Sequence, residues 1–198
     1  MSAFLGPIHT WLYSKILFQN ELVEKIISFA NENNWMNDSI RLNRYGNLEE
    51  GALEDIVDPN NIHGWLQERV SLVENKLAYI VTALLEDHPK RLDELKTLSY
   101  NLGASHGMTE FSNAEDAYEY IDSLLLNGMP CDRVNRVIDI TNDSLKWEQT
   151  QDIHGKYWEM VHGDVKNFYE IRKSIISGIL SKSGFDFVEK DGFYEIKR

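Results

Sequence analysis

The sequence predicts an α+β fold, mainly α: a bundle of about five helices with a small antiparallel sheet formed by one or two C-terminal hairpins. Three observations predict it. Apolar residues recur at helical spacing through long segments of the first two thirds of the chain. A β-branched run appears only after Pro130, and Asp191-Gly192 lies between two strand-like stretches as a hairpin turn would. At 198 residues one core suffices, so a single domain spanning 1–198 is expected.

The first helix is expected over about 8–33, opening after Pro7 and fading into the Asn-rich stretch from Asn31 to Asn34. A polar connection over 34–61, with Gly46, Gly51 and Pro59 and a short helix near 48–57, is long enough to be functional or a crossover. The second helix, about 62–87, takes Asn60 or Asn61 as its cap and is stopped by Pro89. The third starts near Pro89 and places Leu92, Leu95, Leu98, Leu102 and His106 on one face, with Gly103 and Gly107 permitting close helix approach. A fourth helix is expected over about 113–126, ending at Asn127-Gly128. A hairpin over 134–149 follows, turning at Asn142-Asp143. A long helix over 153–182, capped by Asp152, and a type I′ hairpin over 185–197 complete the order.

Composition narrows the function classes. Acidic residues outnumber basic ones 32 to 20, a net charge of −12, and the basic residues are scattered; nucleic acid and anionic membranes are not expected partners. The lone cysteine, Cys131, excludes an internal disulfide. No apolar run approaches bilayer length and the first residues lack the pattern of a signal peptide, so a cytoplasmic protein that binds a small molecule is expected.

Three segments open with nearly the same word: Ile8-His9-Thr10-Trp11-Leu12, Ile62-His63-Gly64-Trp65-Leu66 and Ile153-His154-Gly155-Lys156-Tyr157-Trp158. Each puts a histidine in the first turn of an expected helix, at the head of an apolar seam. A 26-residue helix is about 39 Å long, and a 27-residue connection reaches about 90 Å when extended. The long loop can therefore return the chain and set the first two helices parallel, with His9 beside His63. The antiparallel third helix brings His106 and Glu110 back toward the same end.

His9, His63, His154 and His106, with Glu110 at i, i+4 from His106, are thus candidate ligands for a divalent metal. Zinc suits a three-histidine set, and iron suits two histidines plus a carboxylate. Trp11, Trp65, Tyr157 and Trp158 are candidate walls of an aromatic pocket at that end, with Tyr13 and Gln67 close by. The leading functional expectation is a small-molecule-binding protein with a histidine-lined, metal-binding site, extending to a metal-dependent enzyme. Two alternatives stand beside it: a non-catalytic sensor or assembly module, and a hydrolase or transferase using Cys131 as nucleophile with a histidine base and Asp132 or Asp152 behind it. Gln19 and Asp164 interrupt apolar seams and are candidate buried polar groups.

Overall fold

The computed structural model describes residues 5–37, 40–190 and 192–198. The chain forms α1 (Pro7–Glu32), a 3-10 turn (Leu42–Tyr45), α2 (Leu53–Ile56), α3 (Ile62–Leu85), α4 (Arg91–His106), α5 (Ala114–Leu124), a second 3-10 turn (Pro130–Asp132), β1 (Asn135–Ile140) and β2 (Ser144–Gln149). It continues through α6 (Gly155–Glu159), α7 (Lys166–Leu180), β3 (Asp186–Lys190) and β4 (Phe193–Lys197). Both C-terminal hairpins join one antiparallel sheet in the order β1-β2-β4-β3. Of the expected Asp191-Gly192 turn, Gly192 has the left-handed φ of 80° that a hairpin turn uses, while Asp191 lies outside the described residues.

Helices α1 and α3 run parallel, as the length of the connection allows: His9 meets His63 near their first turns, and Glu24 meets Lys76 further along. The crossover between them lies along α3. The Arg41 N–H donates to Tyr79 Oη at 2.9 Å, Lys76 Nζ donates to Asn47 Oδ1 at 3.1 Å, and Arg69 pairs with Glu49. Helices α4 and α7 pack along each other, and glycines permit the approach: a Cβ on Gly103 or on Gly178 would collide with the carbonyl of Ile175 or of Tyr100.

The main core gathers Ile26, Leu77, Ile80, Leu84, Leu95, Ile171 and Ile175 from the helices with Leu145, Trp147 and Ile196 from the sheet. A smaller cluster, including Leu12, Ile16, Trp65, Leu66 and Leu126, fills the end near His9.

The expected helix over 153–182 is two helices. His162 takes a left-handed φ of 56°, and the Gly163 N–H closes onto the Trp158 carbonyl at 2.9 Å, ending α6. Gly163 packs where any Cβ would strike the Thr82 hydroxyl, and exposed Asp164 accepts from the Lys166 N–H at 2.9 Å at the start of α7. Asp164 is therefore a local cap outside the core seam. Gln19, in contrast, is buried, and its Nε2 has no hydrogen-bond partner.

Candidate functional site

The three Ile-His words do not occupy equivalent helix positions. His9 is the third residue of α1, His63 the second of α3, and His154 the residue before α6. Each step along a helix turns a side chain by about 100°, so the same word aims its ring in three directions.

His9 and His63 do meet, with Nε2 atoms 3.0 Å apart. Nδ1 of His9 accepts the Gly6 N–H at 2.9 Å, a capping contact that places the ring's proton on Nε2. His9 Nε2 is then the donor to His63 Nε2, and neither atom is a free lone pair for a metal. His154 lies elsewhere: its Nδ1 bonds Glu74 Oε1 at 3.0 Å, its ring stacks on Phe168 at 4.0 Å, and Glu74 is eleven residues, about 16 Å, along α3 from His63. His106 bonds Glu21 Oε2 at 3.0 Å on the far part of α1.

Glu110 is exposed beyond the end of α4. Because that helix stops at His106, the i, i+4 relation assumed for the pair is not formed. The convergence expected of four histidines is thus corrected to one pair, and among the described residues no three His, Cys, Asp or Glu side chains group to hold a metal ion. The donor set falls short of the three protein ligands that an open zinc site uses.

The expected pocket walls are also dispersed. Trp65 is buried against Tyr13 and under Arg69, while Tyr157 and Trp158 belong to the main core. Trp11 alone of the four borders a cleft, where Lys15 Nζ sits 3.4 Å from its ring centroid. Gln67 donates to the Ser71 hydroxyl at 3.4 Å. Cys131 is exposed in the Pro130–Asp132 turn, and among the described residues no imidazole bonds its sulfur. Asp132 instead accepts the Met129 N–H, and Asp152 accepts the His154 and Gly155 N–H groups together with the Tyr169 hydroxyl.

A different site emerges between α5, α7 and the inner face of the sheet. Tyr118, Ile121 and Asp122 on α5, with Leu125 just past its end, fall at i, i+3, i+4 and i+7. On α7, Tyr169, Arg172, Lys173 and Ile176 repeat that spacing, so each helix turns one stripe toward the sheet. The strand register completes the wall: Trp147 of β2 is opposite Tyr194 of β4, which is opposite Glu189 of β3. Trp147 and Tyr194 stack with centroids 5.6 Å apart, and Tyr118 leans on Trp147 at 5.0 Å. The cleft is narrow, enclosing about 30 Å³, and its mouth opens to solvent. A second, more polar cleft continues from it past Tyr118, Asp122, Asn127 and Asn135 to Trp11, Lys15 and Arg133.

Arg172 and Asp122 both line the aromatic cleft. The Arg172 guanidinium donates to the Leu126 carbonyl at 3.0 Å and to Asn127 Oδ1 at 2.6 Å, leaving three of its five N–H donors uncommitted by these contacts. Arg172 also borders an inner apolar chamber with Gln19, Leu22, Leu77 and Phe168, where the unpartnered Gln19 Nε2 resides.

Lys15 Nζ reaches Asp122 Oδ2 at 3.2 Å, and burial, opposed by Asp122, lowers its pKa to about 8. Burial lowers Arg172 as well, against the pull of Asp122. Burial, then the Asp122 charge, raises the Tyr118 phenol to about 12; burial and the hydrogen bond to Asp152 push Tyr169 higher still. Both phenols therefore remain protonated donors at neutral pH. In a chain of net charge −12, the joined clefts are lined by Lys15, Arg133, Arg172 and Lys173 against only Asp122 and Glu189.

The sequence carries this signal as two aromatic-and-charged stripes on α5 and α7, each at helical spacing but less conspicuous than the recurring histidine words. Comparison with protein-family models, curated proteins and solved structures finds no match.

Proposed function

We propose that this chain is a non-catalytic binding protein, of the sensor type, for a small organic anion with a planar apolar body held in the cleft between α5, α7 and the sheet. The observation that carries the reading is the half-buried Arg172 guanidinium, with donors to spare, lining an aromatic-walled cleft that joins a second one, the two together holding four basic against two acidic residues in a chain of net charge −12. A planar body fits between aromatic rings, and a carboxylate is the partner a guanidinium fork matches best. The described lining holds no histidine, serine, threonine or cysteine, and its phenols are held protonated, which favours binding over group transfer. Among the described residues no helix is long and apolar enough to cross a membrane.

Calorimetric titration of naphthoate against naphthamide tests the proposal. Wild type should favour the acid by about tenfold or more, since a charge-assisted bond is about twice as strong as a neutral one. Arg172→Met should erase that preference, with Arg172→Lys as the variant that keeps the charge but not the fork. Equal affinity for acid and amide, or no binding of either, overturns the proposal.

A further inference from the structure

The two edges of the sheet are treated differently by the sequence. At one edge, β3 carries Asp186, Glu189 and Lys190, and α7 packs on it. At the other, β1 has β2 as its main contact, while α5 covers β2 and β4. Val137, Ile138 and Ile140 of β1 are consequently 40%, 45% and 46% exposed, three of the few large apolar side chains that face solvent. A short edge strand rich in β-branched apolar residues is a template for another strand.

Its register with itself is specific. The strand reads Asn135-Arg136-Val137-Ile138-Asp139-Ile140, and an antiparallel copy placed about a two-fold axis between Val137 and Ile138 sets Arg136 opposite Asp139, Val137 opposite Ile138 and Asn135 opposite Ile140, each pair twice. Arg136, which within its own chain pairs with Glu148 of β2, gains a second acidic neighbour in the opposing Asp139, and the apolar pair falls at the centre. Shifting the register by one residue either way breaks both ion pairs.

The backbone is arranged for this pairing. Val134 accepts the Thr150 N–H of the β2 side, so by alternation Asn135 presents its backbone groups outward. The outward Ile140 N–H is held at 3.0 Å by the side chain of its neighbour Asp139 and not by β2. When Asp139 turns to an opposing Arg136, that N–H is released to the opposing Asn135 carbonyl. The β-bulge at Ile138, the irregularity between Val137 and Asp139, puts the extra residue at the two-fold axis, where the second copy has the same bulge.

We infer that two copies of this chain associate edge to edge through β1, forming a continuous eight-stranded antiparallel sheet. Asn135 belongs to both the edge and the cleft lining, so the junction lies beside the cleft mouth. The inference rests on the edge alone and stands whatever the cleft binds.

Charge reversal tests it without relying on a single variant. In Arg136→Glu each symmetry-related pair becomes Glu against Asp, and in Asp139→Lys it becomes Arg against Lys. Either change should weaken association by about tenfold or more, because two attractive pairs become repulsive. An equimolar mixture of the two variants restores opposite charges in every pair and should recover association as a heterodimer. Light scattering over a concentration series, under reducing conditions to silence Cys131, reads all four samples, and circular dichroism confirms that each variant is folded. A wild-type chain that remains monomeric throughout, single reversals that dimerise as well as wild type, or a mixture that stays monomeric would each overturn the inference.

Discussion

Lys15→Met isolates the contribution of one buried amine to stability. The ammonium stands almost fully buried between Trp11 and Asp122, and its pKa falls from 10.5 to about 8 because burial outweighs the attraction of Asp122. The folded pKa is the lower, so between about 8 and 10.5 the unfolded chain binds the proton that the folded chain has released, and stability rises with pH across that window. The gap from 10.5 to about 8 corresponds to about 3 kcal/mol in all, of which about 2 kcal/mol is recovered between about pH 7 and about pH 9.5. Lys15→Met lacks the titration. Urea unfolding of both proteins at several pH values should show the wild-type minus variant difference growing in favour of wild type by about that amount. Subtraction removes the other groups, including Tyr118, whose raised pKa erodes stability only above the ordinary tyrosine range. A difference that stays flat, or that shrinks as pH rises, would refute the assignment of Lys15 as a desolvated cation.

Three further outcomes follow from particular contacts. Gly103→Ala drives a methyl into the Ile175 carbonyl across the α4–α7 contact; it should destabilise the protein by about 1–3 kcal/mol, read as a lower thermal midpoint. His9→Ala removes the acceptor of the Gly6 N–H and should cost about 1 kcal/mol in denaturant titration, whereas His9→Asn, which offers a side-chain acceptor, should cost less. Cys131 is exposed, so a thiol reagent should label it stoichiometrically in the native protein without denaturant.

The helices and hairpins were legible because each is bounded by local chemistry that the chain states openly. Pro7 opens α1, Asn61 and Asn113 cap α3 and α5 through their side chains, and Gly192 turns the last hairpin. The parallel pairing of α1 and α3 is allowed, though not dictated, by the length of the connection between them. The break between α6 and α7 was not legible from apolar periodicity, since the seam continues through Val161 and Phe168. What ends α6 is a left-handed His162 and a tertiary contact of Gly163 with Thr82, 81 residues earlier in the chain.

The site failed to read for a related reason. A word recurring in sequence fixes its residues relative to each other, but the ring's direction depends on where the helix begins, and the three helices begin at different points of the word. The cleft, in turn, is assembled from two helices and four strands. Only Tyr118 with Asp122 and Tyr169 with Arg172 and Lys173 announce it locally, while the opposition of Trp147 to Tyr194 needs the sheet register.

The central claim is that the aromatic cleft above Arg172 receives a planar anion. Of the five tryptophans, Trp147 lines that cleft, Trp11 lines its polar extension, Trp35 packs against Phe29 and Arg91, and Trp65 and Trp158 pack in the interior away from it. The most direct measurement follows the indole N–H resonances by NMR during a naphthoate titration, with the Trp147 signal assigned by Trp147→Phe. The account predicts that the Trp147 resonance moves most and saturates, that Trp65 and Trp158 stay in place, and that Arg172→Met suppresses the movement. A Trp147 resonance that stays fixed while naphthoate binds, or one that moves equally in wild type and Arg172→Met, would contradict it.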